Sequence, residues 1–202
     1  MNRLYSIFII FCATNSFFSI GLADVLLERG STWKFLKGSE SSSDWLTMDF
    51  GRLDWPSGNA PFRYGDGQGG TLLRDMPGRY SVVYLCREFE VQDVSKYSVL
   101  DLLVNFDDGF IVWINGHRVI EQNPPRKLLS ELASDSHESG QFEQFEIGRA
   151  DSFLKNGNNK IAIQAFNLSL SSSDFLIDAE LVGILNDSKP PLLTGFIPKP
   201  GK

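Results

Sequence analysis

Apolar and polar residues alternate at period two along much of this chain, which predicts strands. Val83, Leu85, Phe89 and Val91 share one face of the run from Ser81 to Val91. Leu100, Leu102, Val104 and Phe106 alternate in the same way until Asp107-Asp108-Gly109 breaks the run. Phe110 to Ile114 resumes it, and Asn115-Gly116 is a strong two-residue hairpin signal because both positions tolerate positive φ. His117 to Glu121 is then the returning strand, halted by Asn123-Pro124-Pro125. Further strands are predicted over 142–147, 160–166 and 175–182. Helical periodicity is scarce; 43–50, 127–133 and 151–155 each offer a turn or two. Many short strands, turn-rich joints and no room for crossover helices predict an all-β protein. The expected architecture is an antiparallel β-sandwich or jelly roll with short helical turns in its loops.

The two ends read differently. Met1-Asn2-Arg3 is a short basic start, Leu4 to Phe11 is apolar, and Gly21-Leu22-Ala23 puts small residues where a signal peptidase reads. Residues 1–23 are therefore expected to be a secretory signal cleaved before Asp24, leaving a secreted or extracytoplasmic protein. The apolar run falls short of the roughly 20 residues a membrane helix needs. Residues 24–186 are expected to form one β-sandwich module. The segment 187–202, with four prolines, reads as a tail or linker.

Charge and chemistry narrow the function. Arg3 is the only basic residue of the leader, so the mature chain carries 18 basic and 25 acidic residues, a net charge of −7. An acidic surface disfavours nucleic acid and anionic membrane as partners. With one cysteine after cleavage, Cys86, and two histidines, His117 and His137, a four-ligand zinc site has too few N/S donors. No Gly-x-Ser-x-Gly elbow supports a triad, and the glycine-rich 64–70 lacks the lysine of a phosphate loop. Asp107-Asp108 is the most suggestive acidic pair. It is either a plain turn or part of an oxygen cage for calcium. Trp33, Trp45, Trp55 and Trp113 either pack in the core or offer flat faces to sugar rings. Asn167-Leu168-Ser169 and Asn186-Asp187-Ser188 match the N-glycosylation acceptor pattern.

Four segments together carry a resemblance: 55–67 (WPSGNAPFRYGDG), 106–119 (FDDGFIVWINGHRV), 136–140 (SHESG) and 170–175 (LSSSDF). Their order and spacing resemble a galactose-binding-domain-like jelly-roll module of secreted, often multidomain bacterial proteins. The resemblance covers roughly residues 27–183 and implies an accessory role rather than a reaction, so no enzyme activity is expected. The same kind of fold serves as the sugar-binding domain of many glycoside hydrolases. If the loops around Asp107, His137 and Asp174 meet at one end of the sandwich, Asp108, Asn115, His137, Glu138, Ser173 and Asp174 would hydrogen-bond to a glycan. Asp107 and Asp108 would hold calcium. The second reading is a structural spacer that packs against a neighbouring domain and takes no small ligand, and a minor third is a glycan-active hydrolase using an acidic pair.

Overall fold

The computed structural model of the protein describes residues 22–38, 45–46, 49–126 and 131–186. The strands are β1 (Ala23–Leu27), β2 (Thr32–Lys37), β3 (Ser57–Asn59), β4 (Phe62–Tyr64), β5 (Thr71–Leu72), β6 (Val82–Val91) and β7 (Tyr97–Asp107). They continue as β8 (Gly109–Ile114), β9 (His117–Gln122) and β10 (Glu143–Arg149). A single helical turn, α1 (Ala150–Phe153), precedes β11 (Gly157–Phe166) and β12 (Phe175–Leu185). They form two six-stranded sheets. The first runs β10-β7-β12-β4-β5, with β1 also on β12; the second runs β3-β2-β6-β11-β8-β9. Neighbours are antiparallel except the short β4–β5 pair. The protein is an all-β sandwich.

Period-two alternation decides which residues lie between the sheets. Leu100, Leu102, Val104 and Phe106 of β7, Ile177, Ala179 and Leu181 of β12, Val83 and Leu85 of β6, and Phe110, Val112 and Ile114 of β8 meet in one buried core. A fully buried side chain of this kind contributes roughly 1.5–3 kcal/mol. β6 reads as a nearly continuous apolar run because its other face is covered as well. Val82, Tyr84 and Cys86 join Trp45, Phe50, Ile111, Ala162 and Phe166 in a second cluster outside the second sheet.

The Asp107-Asp108-Gly109 break is not a hairpin turn. β7 belongs to the first sheet and β8 to the second, so the chain changes sheets across Asp108. Gly109 is required here, because a Cβ would meet the Asn123 carbonyl oxygen at 2.7 Å. Asn115-Gly116 is the expected hairpin, with φ of 50° and 83°. The turn expected over 151–155 is present as α1, one residue earlier. Of the one expected over 127–133, residues 127–130 lie outside the described residues, and 131–133 are not helical. Of 43–50, Trp45-Leu46 form a turn and Phe50 opens a single 3-10 turn.

The expected cleavage point falls inside β1. Ala23 pairs with Ile184 and is buried beside Leu103 and Val182. Residues 1–21 and 187–202, the bulk of the expected leader and the proline-rich tail, lie outside the described residues. Among the described residues no helix is long and apolar enough to cross a membrane.

Candidate functional site

The sheet change at Asp108 gathers three loops at one end of the sandwich. The Asp108 carboxylate is the clamp. One of its oxygens accepts the His137 N–H at 3.0 Å and the other accepts the Leu168 N–H at 2.6 Å. Its own N–H donates to the Phe166 carbonyl at 3.1 Å, and Asn123 Nδ2 donates to its carbonyl at 3.0 Å. Asp108 thus ties the loop before β10 and the loop before β12 to the same corner. Each carboxylate oxygen carries one main-chain bond, so Asp108 positions these loops.

Asp107 faces the opposite way. At the end of β7 it pairs with Leu176 on the outer face of the first sheet, and Asp174 lies two residues before Leu176, at the end of the loop that leads into β12. Asp107, Glu138 and Asp174 each place a carboxylate oxygen within 4.8 Å of the others. Asp107 is 3% exposed. Burial, then the negative charges of Asp108, Asp174 and Glu138, push its carboxyl up to about 7; the Ser139 N–H partly offsets them. Three carboxylates at this spacing repel one another, and a hard cation or a proton would relieve that repulsion. The group whose oxygens lie close enough together to hold a metal ion is Asp107, Glu138 and Asp174; Asp108, the other half of the expected pair, is not part of it.

Loop 136–140 lies over this end. Gly140 N–H donates to Asn105 Oδ1 at 2.9 Å, and Asn105 Nδ2 returns a bond to the Gly140 carbonyl at 3.3 Å. The His137 ring stacks on Phe106 with centroids 3.9 Å apart and planes 10° apart. Its Nδ1 faces the Phe106 carbonyl at 3.1 Å and its Nε2 faces Glu143 Oε1 at 2.7 Å, so both ring nitrogens are held. Ser173 is exposed and donates to Asp174 Oδ1 at 2.8 Å. Gly65 makes room for this loop: a Cβ there would meet Asp174 Cβ at 2.6 Å.

The structure therefore brings His137, Glu138, Ser173 and Asp174 together around the Asp107-Asp108 corner. It does not bring Asn115. That residue lies past the far end of β8, six residues and roughly 20 Å from the corner. Its amide is spent on structure: Nδ2 donates to the Phe153 carbonyl and to Asn159 Oδ1, and Oδ1 accepts the Lys160 N–H. Asn105 and Tyr64 were missed. Asn105 could have been read from its outward parity on β7, but Tyr64 needed the register with β12. Tyr64 O–H donates to the Ser172 carbonyl at 3.0 Å and accepts Asn167 Nδ2 at 2.7 Å. Asn167, the first glycosylation candidate, is 1% exposed and its Nδ2 also donates to the Asp174 carbonyl, so in the folded chain it is a core amide.

The tryptophans divide. Trp33 is buried between the sheets, whereas Trp45, Trp55 and Trp113 gather outside the second sheet. Trp45 stacks on Trp55 (5.8 Å, 27°) and meets Tyr84 and Trp113 edge-on. Trp113 is half-buried while Phe110, Val112 and Ile114 are fully covered, as the alternation along β8 predicts. Burial raises the Cys86 thiol to about 12, which keeps it protonated and unreactive.

No protein-family model and no curated protein sequence matches the chain. Solved structures match in shape. A β-glucuronidase of Bacteroides uniformis is 17% identical with a TM-score of 0.53, over 81% of this chain and 18% of that one. A β-glucuronidase of an uncultured Clostridium is 15% identical with a TM-score of 0.52, over 88% of this chain and 31% of that one. A glycosyl hydrolase family 2 member of Bacteroides cellulosilyticus is 15% identical with a TM-score of 0.50, over 80% and 20%. The chain spans less than a third of the length of these structures, and what it shares with them is the fold, an all-β sandwich.

Proposed function

We propose that this chain is a non-catalytic, galactose-binding-like accessory module of a secreted protein, and that it binds carbohydrate at its Asp107 end with calcium as a helper. The observation that carries this reading is the convergence of Asp107, Glu138 and Asp174 within 4.8 Å, on loops tied by Asp108. His137, Ser173 and the Asn105–Gly140 pair surround that cluster with polar groups suited to hydroxyls. The likeness to parts of glycosidase chains supports a carbohydrate context.

The test is binding of the purified chain to a broad glycan array, with calcium and with chelator. A reproducible hit lost on chelation, and lost again in Glu138→Gln, is the expected outcome. A blank array from a folded, monodisperse sample would sink the reading. It would favour the second one, a spacer that packs on a neighbouring domain. The half-buried Trp55 and Trp113 outside the second sheet favour that alternative, since interface centres are enriched in such side chains.

A further inference from the structure

Asparagine precedes glycine twice in this chain, at Asn115-Gly116 and at Asn156-Gly157. With no Cβ on the glycine, its main-chain nitrogen can approach the asparagine Cγ closely. A bond from that nitrogen to Cγ forms while the bond from Cγ to Nδ2 breaks. Nδ2 leaves as ammonia, taking the main-chain proton, and a succinimide ring remains. Water then adds to one ring carbonyl and opens the ring, giving aspartate or isoaspartate.

The two glycines are equally open. Gly116 has φ of 83° and Gly157 φ of 87°, and a Cβ on either would meet no atom within 4 Å. The difference lies in the asparagines. Asn115 is held through its nitrogen: Nδ2 donates to the Phe153 carbonyl at 2.7 Å and to Asn159 Oδ1 at 2.9 Å. Its Oδ1 accepts the Lys160 N–H at 2.9 Å. Asn159 cannot follow a departing Asn115, because it is buried and tied to the Lys155 and Gly157 carbonyls and the Lys155 N–H. Ring closure at Asn115 therefore requires its bonds to break, the leaving nitrogen's included.

Asn156 is exposed and is held through its oxygen, which accepts the Val94 N–H at 2.8 Å. That bond stabilises the negative charge that gathers on this oxygen as the main-chain nitrogen adds. Among the described residues its Nδ2 donates to nothing, so water can protonate the leaving nitrogen. Gly157 opens β11 opposite Val91, the last residue of β6, and fraying of this terminal pair is enough to release its N–H. We propose that Asn156 is a site of spontaneous deamidation in the folded protein, with water as the co-reactant, and that its hydrogen bonds protect Asn115. The proposal is independent of the glycan reading above.

The experiment incubates the purified whole chain at mildly alkaline pH in water enriched in oxygen-18, with a parallel sample in denaturant. Both are then digested in ordinary water and mapped by mass spectrometry. Label in the new carboxylate separates conversion during incubation from conversion of the peptides. In the folded chain Asn156 should take up label and Asn115 should do so at least about tenfold more slowly. In denaturant the two should convert at comparable rates. Equal rates at both sites in the folded chain, or an Asn156 that stays unlabelled while the denatured sample converts, would overturn the proposal.

Discussion

The two outer faces of the sandwich differ in what they bury besides apolar side chains: the first sheet adds acids to its small Ala23–Leu103–Val182 cluster, the second does not. Outside the second sheet, Trp45, Tyr84, Trp113 and Phe50 make a further apolar cluster. Outside the first sheet, Asp101, Asp178 and Glu180 are buried among polar partners. Asp178 accepts the Gly30 and Ala179 N–H groups, Glu180 pairs with Arg29 at 3.0 Å, and Asp101 accepts Gln144 Nε2 at 2.7 Å. The Arg29 guanidinium also sits 3.9 Å over the Phe142 ring, which holds the loop before β10 against this face. Burial pushes the Asp178 and Asp101 carboxyls up despite these bonds. Burial of the apolar cluster involves no change of ionisation, whereas the buried acids of the other face depend on their partners and protons.

The largest effect that would break this comparison is expected on the apolar face. Trp45→Ala removes a buried ring with three aromatic neighbours and should cost about 3–5 kcal/mol, equally at acid and neutral pH, by chemical denaturation. A marked pH dependence of that loss would show that the faces are coupled.

Asp108→Ala should cost about 3 kcal/mol, because two main-chain N–H groups lose their acceptor. Hydrogen exchange should localise the damage to the amides of His137 and Leu168. Arg29→Ala leaves Glu180 without its cation and uncovers Phe142, for a loss of about 2 kcal/mol. If Arg29→Ala is neutral, the acidic face does not depend on its partners as argued.

The smallest effect is the most specific. The folded chain keeps a proton on Asp107 up to about pH 7, while the unfolded chain releases it near the ordinary carboxyl value of 3.8. Between those values the native state binds more protons, so stability should fall as pH rises across that window. Asp107→Asn should flatten this slope and gain about 1–2 kcal/mol near pH 8, read as the melting temperature against pH. Calcium should raise the melting temperature of the natural chain at pH 8 and leave Asp107→Asn nearly unmoved.

Strands β6 to β12 are legible in the sequence because each is long enough for alternation to show, and Asn115-Gly116 marks its own hairpin. β1 to β5 are not. β3, β4 and β5 have two or three residues each and exist through their partners rather than through any pattern of their own. At the site, the meeting of the Asp107, His137 and Asp174 loops is foreseeable from a jelly-roll arrangement. The division of labour between the neighbouring acids is not. It follows from the chain changing sheets at Asp108, which turns one carboxylate onto two loops and the other onto the outer face, and local sequence carries no mark of that. The placement of Asn115 was within reach, since a six-residue strand separates it from the corner and so puts it at the opposite end.

The buried Asn167 amide bears on how the protein is produced. The nitrogen to which an oligosaccharide would be joined is the one that donates to Tyr64 and Asp174. In a eukaryotic secretory host, sugar added to the nascent chain at this sequon would have to be accommodated where a 1% exposed residue belongs. Modified chains would then accumulate as misfolded material, and replacing Asn167 to prevent the modification would remove the same two bonds. A host that leaves asparagine unmodified avoids both losses.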